Sequence, residues 1–376
     1  MGAWFKQLGI TRVASVTALD RIGIPVYLAT RPNSCTLAVT QGKGIDDDSA
    51  RASAIMEAAE QAIAERPRVS VVTASAQDLV DSGESFVGPA RFLRRGAALP
   101  GERENLDWIE GYDLLEEERC WVPLDAVALD FTRWREHPFW QSSDGLASGN
   151  VLLEAVLHGL CERVERDASA LWSFSDQDQI LARCVDPEDF EDGVLSALIA
   201  QVSAAGLVLR MFDITSDIGI PAYFAVISER RPEGEVGRHF DMSRGTGCHP
   251  LGVRAAIRAV TEAAQSRLTA ISGARDDILP EMYAAPLKSD LHVFRDAWLS
   301  ARRPTLGGGD RRPGDHLALM LGRLRGRGIR SAVVVPLGGE EMGFSVAKVV
   351  VPDLEDPPES RHRRLGRRAL NAMLGA

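Results

Sequence analysis

The chain has 376 residues, 45% of them hydrophobic, enough for one large domain or two ordinary ones around a sizeable core. Its 43 Lys and Arg against 53 Asp and Glu leave a net charge of −10, which argues against nucleic acid as a partner unless a local basic patch overrides that balance. The opening MGAWFKQLGITRVAS lacks a signal-peptide apolar core and no window approaches the roughly 20 apolar residues of a membrane span, so no membrane role and a cytoplasmic address are expected.

In chain order, IGIPVYLA at Ile22 to Ala29 reads as a short β-rich run, and Gly42-Lys43-Gly44 as a turn before a helix near 48–65. In that helix Ser53, Glu57 and Glu60 stand at i, i+4 and i+7, within about 60° of one another, and Ala52, Ala54, Ala58, Ala59 and Ala62 leave little bulk around the stripe. A second helix, near 151–171, follows Ser148-Gly149-Asn150. It is amphipathic through Val156, Leu157, Leu160 and Val164, with Glu162 at or near the edge of its buried face, Glu165 at i+3 from it and Arg166 beside them. After a helix near 192–205 and a strand at 207–213, IGIPAYFA at Ile218 to Ala225 repeats the first run and includes the start of a strand at 222–228. A second glycine turn, Gly245-Thr246-Gly247, then precedes a third helix near 251–271 carrying Arg258, Glu262 and Gln265, again at i, i+4 and i+7. Further on, a helix near 287–301, a mobile loop at 302–315, strands at 331–336 and 343–351, and a short basic helix after Arg361, Arg363, Arg364, Arg367 and Arg368 are expected. A charge run of that kind is usually a solvated face, the alternative being a partner-docking tail.

Aligning Glu57 with Glu262 and Glu60 with Gln265 leaves the glycine turns offset by only two residues, which points to an old duplication or a shared pseudo-symmetric architecture. The five cysteines, Cys35, Cys120, Cys161, Cys184 and Cys248, form no CxxC pair, and the seven histidines lack ligand spacing. His249, in GTGCHP, reads as a turn residue with a functional role as the alternative.

Taken singly, each helix has a bland reading in which exposed glutamates make i, i+4 pairs. If the three faces converge, five carboxylates cannot all stay ionised in a partly dry cleft without a cation. The candidate ligands Glu57, Glu60, Glu162, Glu165 and Glu262 are all oxygen donors, which selects Mg²⁺ over zinc, and Mg²⁺ in such a cleft most often bridges nucleotide phosphates. Lys43, Arg166 and Arg258 are then available for phosphate oxygens. Neither a P-loop nor a dinucleotide GxGxxG motif is present.

GKG followed by SAIMEAAEQ, SGN with GLCERVERDA, and GTG with RAVTEAAQSR together resemble the YcaO superfamily, over most of the chain from Gly9 to Asp356. The resemblance implies one large α/β (α+β) domain with an internal pseudo-symmetric repeat, mixed sheets flanked by helices and a central ATP cleft. Residues 1–9 would form an N-terminal segment, 10–356 the catalytic domain, with halves about 10–140 and 141–356, and 357–376 a basic tail. It also implies use of ATP and Mg²⁺ to phosphorylate a backbone amide oxygen that a nucleophile then replaces. Ser53, Glu57, Glu60, Glu162, Glu165 and Glu262 would be ligands of Mg²⁺-ATP, Arg166 and Arg258 would contact phosphate, and Asn150, Gln265 and Lys43 would lie at the nucleotide. Gln61 stands where many members carry Arg. GITRVASVTALDRIGIPV and QSRLTAISGARDD look most like the branch associated with a TfuA partner. That branch implies thioamide formation on a peptide or protein substrate, with an external sulfide donor and a homodimer. Azoline or amidine formation and a non-catalytic scaffold remain the alternatives.

Overall fold

The computed structural model describes residues 3–133, 136–230, 238–286, 291–309, 311–356 and 365–374. A three-stranded sheet has the order β1 (Arg12–Ser15), β2 (Val26–Thr30), β3 (Val39–Lys43). A six-stranded sheet is built from β4 (Val71–Ser75), β5 (Asn105–Asp113), β6 (Glu118–Pro123), β7 (Leu146–Gly149), β12 (Val333–Gly338) and β13 (Ser345–Val350), in the order β4-β5-β12-β13-β7 with β6 on β5. The third sheet has the order β11-β10-β9-β8, formed by β8 (Cys184–Val185), β9 (Leu207–Asp213), β10 (Ala222–Glu229) and β11 (Met242–Cys248). These strands pair antiparallel, so the expected mixed sheets narrow to the α+β form.

Three long helices follow β3, β7 and β11: Asp47–Glu65, Leu152–Trp172 and Gly252–Ser272, the first, second and third acidic helices. The first begins in a reciprocal capping box, in which Asp46 accepts from the Ser49 N–H at 2.7 Å and Asp47 and Asp48 face the positive helix end. The third stops at Gly273, whose φ of 55° suits glycine.

Helices and sheets alternate around the molecule. In the six-stranded sheet, Val333, Val335 and Val346 pack toward Ala54, Ala58 and Ile63 of the first helix, while Val334, Ala347 and Val349 pack toward Leu160 and Val164 of the second. The period-2 alternation of strand side chains thus buries both faces of the sheet. In the four-stranded sheet, Phe212, Ala222 and Val226 join the second helix, while Met211, Tyr223, Ala225 and Ile227 pack on Ala255, Ala259 and Ala263 of the third. Val26 and Leu28 of the three-stranded sheet meet Leu268 of the third helix, and Ala29 packs with the first, which closes the circuit.

Several local expectations change. Gly42-Lys43 ends strand β3 and Gly245-Thr246-Gly247 lies inside β11, so neither glycine pair forms a turn. Their role is close approach. A Cβ on Gly42 would run into the backbone of Ala50 and Ala54, one on Gly245 into Ala259 and Ala263, and one on Gly247 into Ala255 and Ala259. The expected mobile loop at 302–315 is anchored: Thr305 donates to Asp213 through N–H (3.1 Å) and hydroxyl (2.7 Å), its carbonyl accepts from Tyr223 (2.7 Å), and a helix begins at Pro313. Of the helix expected at 287–301, residues 287–290 lie outside the described residues and only His292–Asp296 is helical. The C-terminal helix forms over Arg367–Leu374, and Arg368 leaves the solvated face: it pairs bidentately with fully buried Asp167 at 2.8 Å and also reaches Asp217. Arg361, Arg363 and Arg364 fall outside the described residues. The cysteines are free thiols, buried except for half-buried Cys35.

Candidate nucleotide and metal site

The acidic stripes of the three helices face one another. Burial is the main cause that lifts the Glu57 carboxyl to about 7, opposed by Lys43 and Arg275 and reinforced by Glu162 and Glu262. It lifts Glu60 to about 8, against the Ser148 hydroxyl and with Glu57 and Glu162 adding. Glu162 is raised by burial and by Asp144 and Glu165, with Arg166 opposing. Glutamates from the first, second and third helices therefore sense each other's charge, as only a shared cleft allows.

Basic and hydroxyl groups interleave with them. Lys43 Nζ, from β3, pairs with Glu262 Oε2 on the third helix at 2.5 Å. Burial alone would raise Glu262, but Lys43 and Arg166 outweigh it and bring the carboxyl down to about 2. Arg166 donates to Asp144 (2.9 Å) and Glu162 (3.2 Å) and lies 3.9 Å from Glu165. The second Glu162 oxygen accepts the Gly145 N–H at 3.1 Å. Thr246 Oγ1 lies 2.7 Å from Glu165 Oε1 and 3.2 Å from Glu262 Oε1, and its N–H donates to the same Glu262 oxygen at 3.2 Å.

The positions Glu60, Glu165 and Gln265 share a further pattern. Glu60 accepts from Ser148 on β7 (2.6 Å), Glu165 from Thr246 on β11, and Gln265 donates to the Gln41 carbonyl on β3 (2.9 Å). Each acidic helix thus bonds to the strand that leads into another one, in cyclic order.

Other expected residues are less central. Ser53 Oγ accepts from the Lys43 N–H at a long 3.4 Å. Arg258 bonds to His158 Nε2 at 2.8 Å rather than to a carboxylate. Asn150 is exposed and donates from its N–H and side chain to Glu154, both at 2.9 Å, at the mouth of the second helix. Gln61 turns away from the stripe and accepts from Thr36 at 3.0 Å, beside the buried Arg31–Glu65 pair. His249 accepts from the Leu251 N–H at 2.9 Å, the turn role that was expected of it. Asp144, His158 and Arg275 escaped the sequence reading, and Ser148 and Thr246 entered it only as members of the SGN and GTG motifs, with no role of their own: single hydroxyls and isolated charges acquire meaning only through contacts made far along the chain.

The carboxylates outnumber the cations Lys43, Arg166, Arg258 and Arg275, and the donors are all oxygens, which suits a hard divalent cation. Among the described residues no three of His, Cys, Asp and Glu stand close enough to hold one ion by themselves. Mg²⁺ commonly takes one or two carboxylates and completes its shell with substrate phosphates and water, so such a site does not need a closed protein cage.

Residues 41–355 match the family described as YcaO cyclodehydratase, ATP- and Mg²⁺-binding. The chain is 40% identical over 388 residues to a Rhizobium leguminosarum bv. trifolii protein named "Uncharacterized protein in tfuA 3′region", covering 99% of this chain and 90% of that one. The chain belongs to the YcaO family. ATP and Mg²⁺ are accordingly its cofactors, and the TfuA-associated branch is the one its relative points to. Among solved structures, YcaO from Methanopyrus kandleri bound with AMPPCP and Mg²⁺ superposes with a TM-score of 0.71 at 24% identity, covering 96% of this chain and 91% of that one. A heterocyclase in complex with substrate and cofactor gives a TM-score of 0.73 at 22% identity over 92% of this chain, which spans half of that protein's length. At these identities the likeness shows the YcaO fold alone. No helix among the described residues is long and apolar enough to cross a membrane.

Proposed function

We propose that this YcaO protein phosphorylates the oxygen of a peptide-backbone amide with ATP and Mg²⁺, for thioamide formation with a TfuA-like partner and an external sulfide donor. The observation that carries the reading is the convergence of Glu57, Glu162 and Glu262 from three helices around Lys43 and Arg166. The name of the Rhizobium relative supports the partner.

Glu57, Glu60, Glu162, Glu165 and Glu262 would hold Mg²⁺, and Ser53, Asn150 and Gln265 would line the nucleotide. Mg²⁺ and bound ATP supply the phosphoryl group and the neutralisation of its charge. Lys43, Arg166 and Arg258 bind phosphate oxygens and stabilise negative charge as it spreads over the group in transfer. The carboxylates, Glu165 buried and the other four half-buried, would hold their ligands in a partly water-excluded cleft, where such charge interactions are strengthened. An amide oxygen is a poor leaving group, and its phosphate ester is a good one, so the acceptor chemistry asks the protein mainly to position its substrates. No Ser/His/Asp or Cys/His set is required.

We assign to the same reading one catalytic domain over 10–356 with pseudo-repeat halves, a cytoplasmic address and a homodimer. The family's description as a cyclodehydratase favours azoline formation as the second reading, with an intramolecular nucleophile in place of sulfide. A neighbouring TfuA-like gene supports thioamidation, and a neighbouring leader-peptide-binding protein supports cyclisation. Titration calorimetry with ATP, with and without Mg²⁺, tests the core of the proposal: Glu57→Gln and Glu162→Gln should abolish the Mg²⁺-dependent binding of the wild type. Mass spectrometry of the host proteome should reveal a peptide whose mass gain corresponds to sulfur replacing oxygen, lost on deletion. Tight nucleotide binding without phosphate release under any peptide or partner would instead make the protein a scaffold.

A further inference from the structure

Gly245 and Gly247 lock the middle of β11 against the third acidic helix, since a side chain on either would meet that helix's backbone. Thr246 stands between them. β11 is an edge strand, so the Thr246 N–H on the side away from β10 is free to leave the sheet, and it donates to Glu262 Oε1 at 3.2 Å. The strand's alternation turns the Thr246 side chain away from the glycine face, toward the second helix, where its hydroxyl meets Glu165 Oε1 at 2.7 Å. One residue thus holds carboxylates from two helices.

The hydroxyl has a single proton, and the shorter contact assigns it to Glu165, leaving the backbone N–H for Glu262. Glu165 has few other donors: its side chain is 5% exposed, and its ion-pair neighbour Arg166 stands off at 3.9 Å. Lys43 takes the remaining oxygen of Glu262. Without the Thr246 hydroxyl, Glu165 would be a buried carboxylate lacking its closest hydrogen bond, free to swing toward Arg166 and away from Glu262.

We propose that Thr246 is a positioning residue that fixes the spacing of Glu165 and Glu262 for a divalent cation. The inference rests on the functional reading above, in which both carboxylates serve Mg²⁺. Ligand groups must be held to within about 0.5 Å of their working geometry, and a β-branched side chain on a strand pinned by two glycines is a stiff means of doing so.

The test is calorimetric titration of Mg²⁺ into the full chain with a non-hydrolysable ATP analogue, and of the analogue alone. Thr246→Val, which keeps the shape and removes the hydroxyl, should weaken Mg²⁺ binding about tenfold or more, the scale set by one hydrogen bond to a charged group. Thr246→Ser should restore it to within about threefold, and affinity for the analogue alone should stay at the wild-type value in both. If Thr246→Val does not fold, Thr246→Ala makes the same comparison. The inference falls if Thr246→Val binds Mg²⁺ like the wild type, if Thr246→Ser is as weak as Thr246→Val, or if the analogue alone is lost in parallel. Wild-type protein that takes up no Mg²⁺ with the analogue overturns the functional reading and this inference together, whereas normal wild-type binding with an unchanged valine variant overturns only the inference.

Discussion

Ser148, on β7, donates its hydroxyl proton to Glu60 on the first acidic helix across 2.6 Å, joining residues 88 apart in the chain. The bond ties the strand leading into the second helix to the acidic stripe of the first. It matters most when Glu60 is ionised, because the hydroxyl favours the charged carboxylate while burial and Glu57 oppose it. Ser148→Ala should therefore cost about 1–3 kcal/mol at pH 9, where Glu60 carries its charge, and clearly less at pH 6, where it is protonated. Urea unfolding at the two pH values measures the difference.

The raised carboxyls of Glu57, about 7, and Glu60, about 8, make a second prediction. Folded protein keeps protons at these sites that the unfolded chain releases near pH 4.5, so the folded state binds more protons through the interval, and stability falls as pH rises toward 8. His158 and His249, both held below the ordinary histidine range first by burial and then by nearby arginines, give the opposite slope, but only below about pH 6.5. Glu262, lowered by Lys43 against its burial, contributes stability that is lost only between about pH 4.5 and 2. Between pH 6.5 and 8 the metal-free protein should lose several degrees of Tm, and saturating Mg²⁺ with a nucleotide analogue should flatten the slope. Scanning calorimetry with and without the ligands checks this.

Glycine substitutions should divide sharply. Gly42→Ala and Gly247→Ala push a methyl group into helix backbone that cannot give way, so each should destabilise by about 3 kcal/mol or more. Gly322, inside the Pro313–Gly326 helix with open space around it, should accept Ala with no loss, or with a gain of up to about 1 kcal/mol from helix propensity. Chemical denaturation of the three variants reads the contrast.

Arg368→Met would leave Asp167, fully buried and adjacent to Arg166, without its bidentate partner. The Glu355 N–H at 3.1 Å is then its remaining donor among the contacts described. Removing one member of a buried pair costs about 3–5 kcal/mol, and the double variant Asp167→Asn/Arg368→Met should recover part of it. Thermal melts of the single and double variants decide whether the C-terminal helix is structurally required.

The three acidic helices and strands β9, β10, β12 and β13 were legible because each carries its period within a short window, whereas the helix at Pro313–Gly326 was not. The i, i+4, i+7 stripe of Ser53, Glu57 and Glu60 needs only helix geometry to be seen. The glycine pairs were misread because Gly-x-Gly before a helix looks the same whether the chain turns there or runs straight against the helix. What separates the cases is the approach of Gly42 to Ala54, or of Gly247 to Ala259, which local sequence does not encode. The segment at 302–315 looked loose by its Gly, Pro and Arg content, yet Asp213, almost a hundred residues earlier, holds Thr305 in place. Arg368 looked like part of a wetted basic run for the same reason: its partner Asp167 lies on another helix.

The contact of bare backbone at Gly42, Gly245 and Gly247 has an evolutionary corollary. Where strand and helix touch without intervening side chains, the distance between them is fixed by atoms every amino acid shares, leaving drift elsewhere little leverage over it. Connecting segments elsewhere can therefore change in length or composition without altering the strand-to-helix spacing on which the glutamates ride.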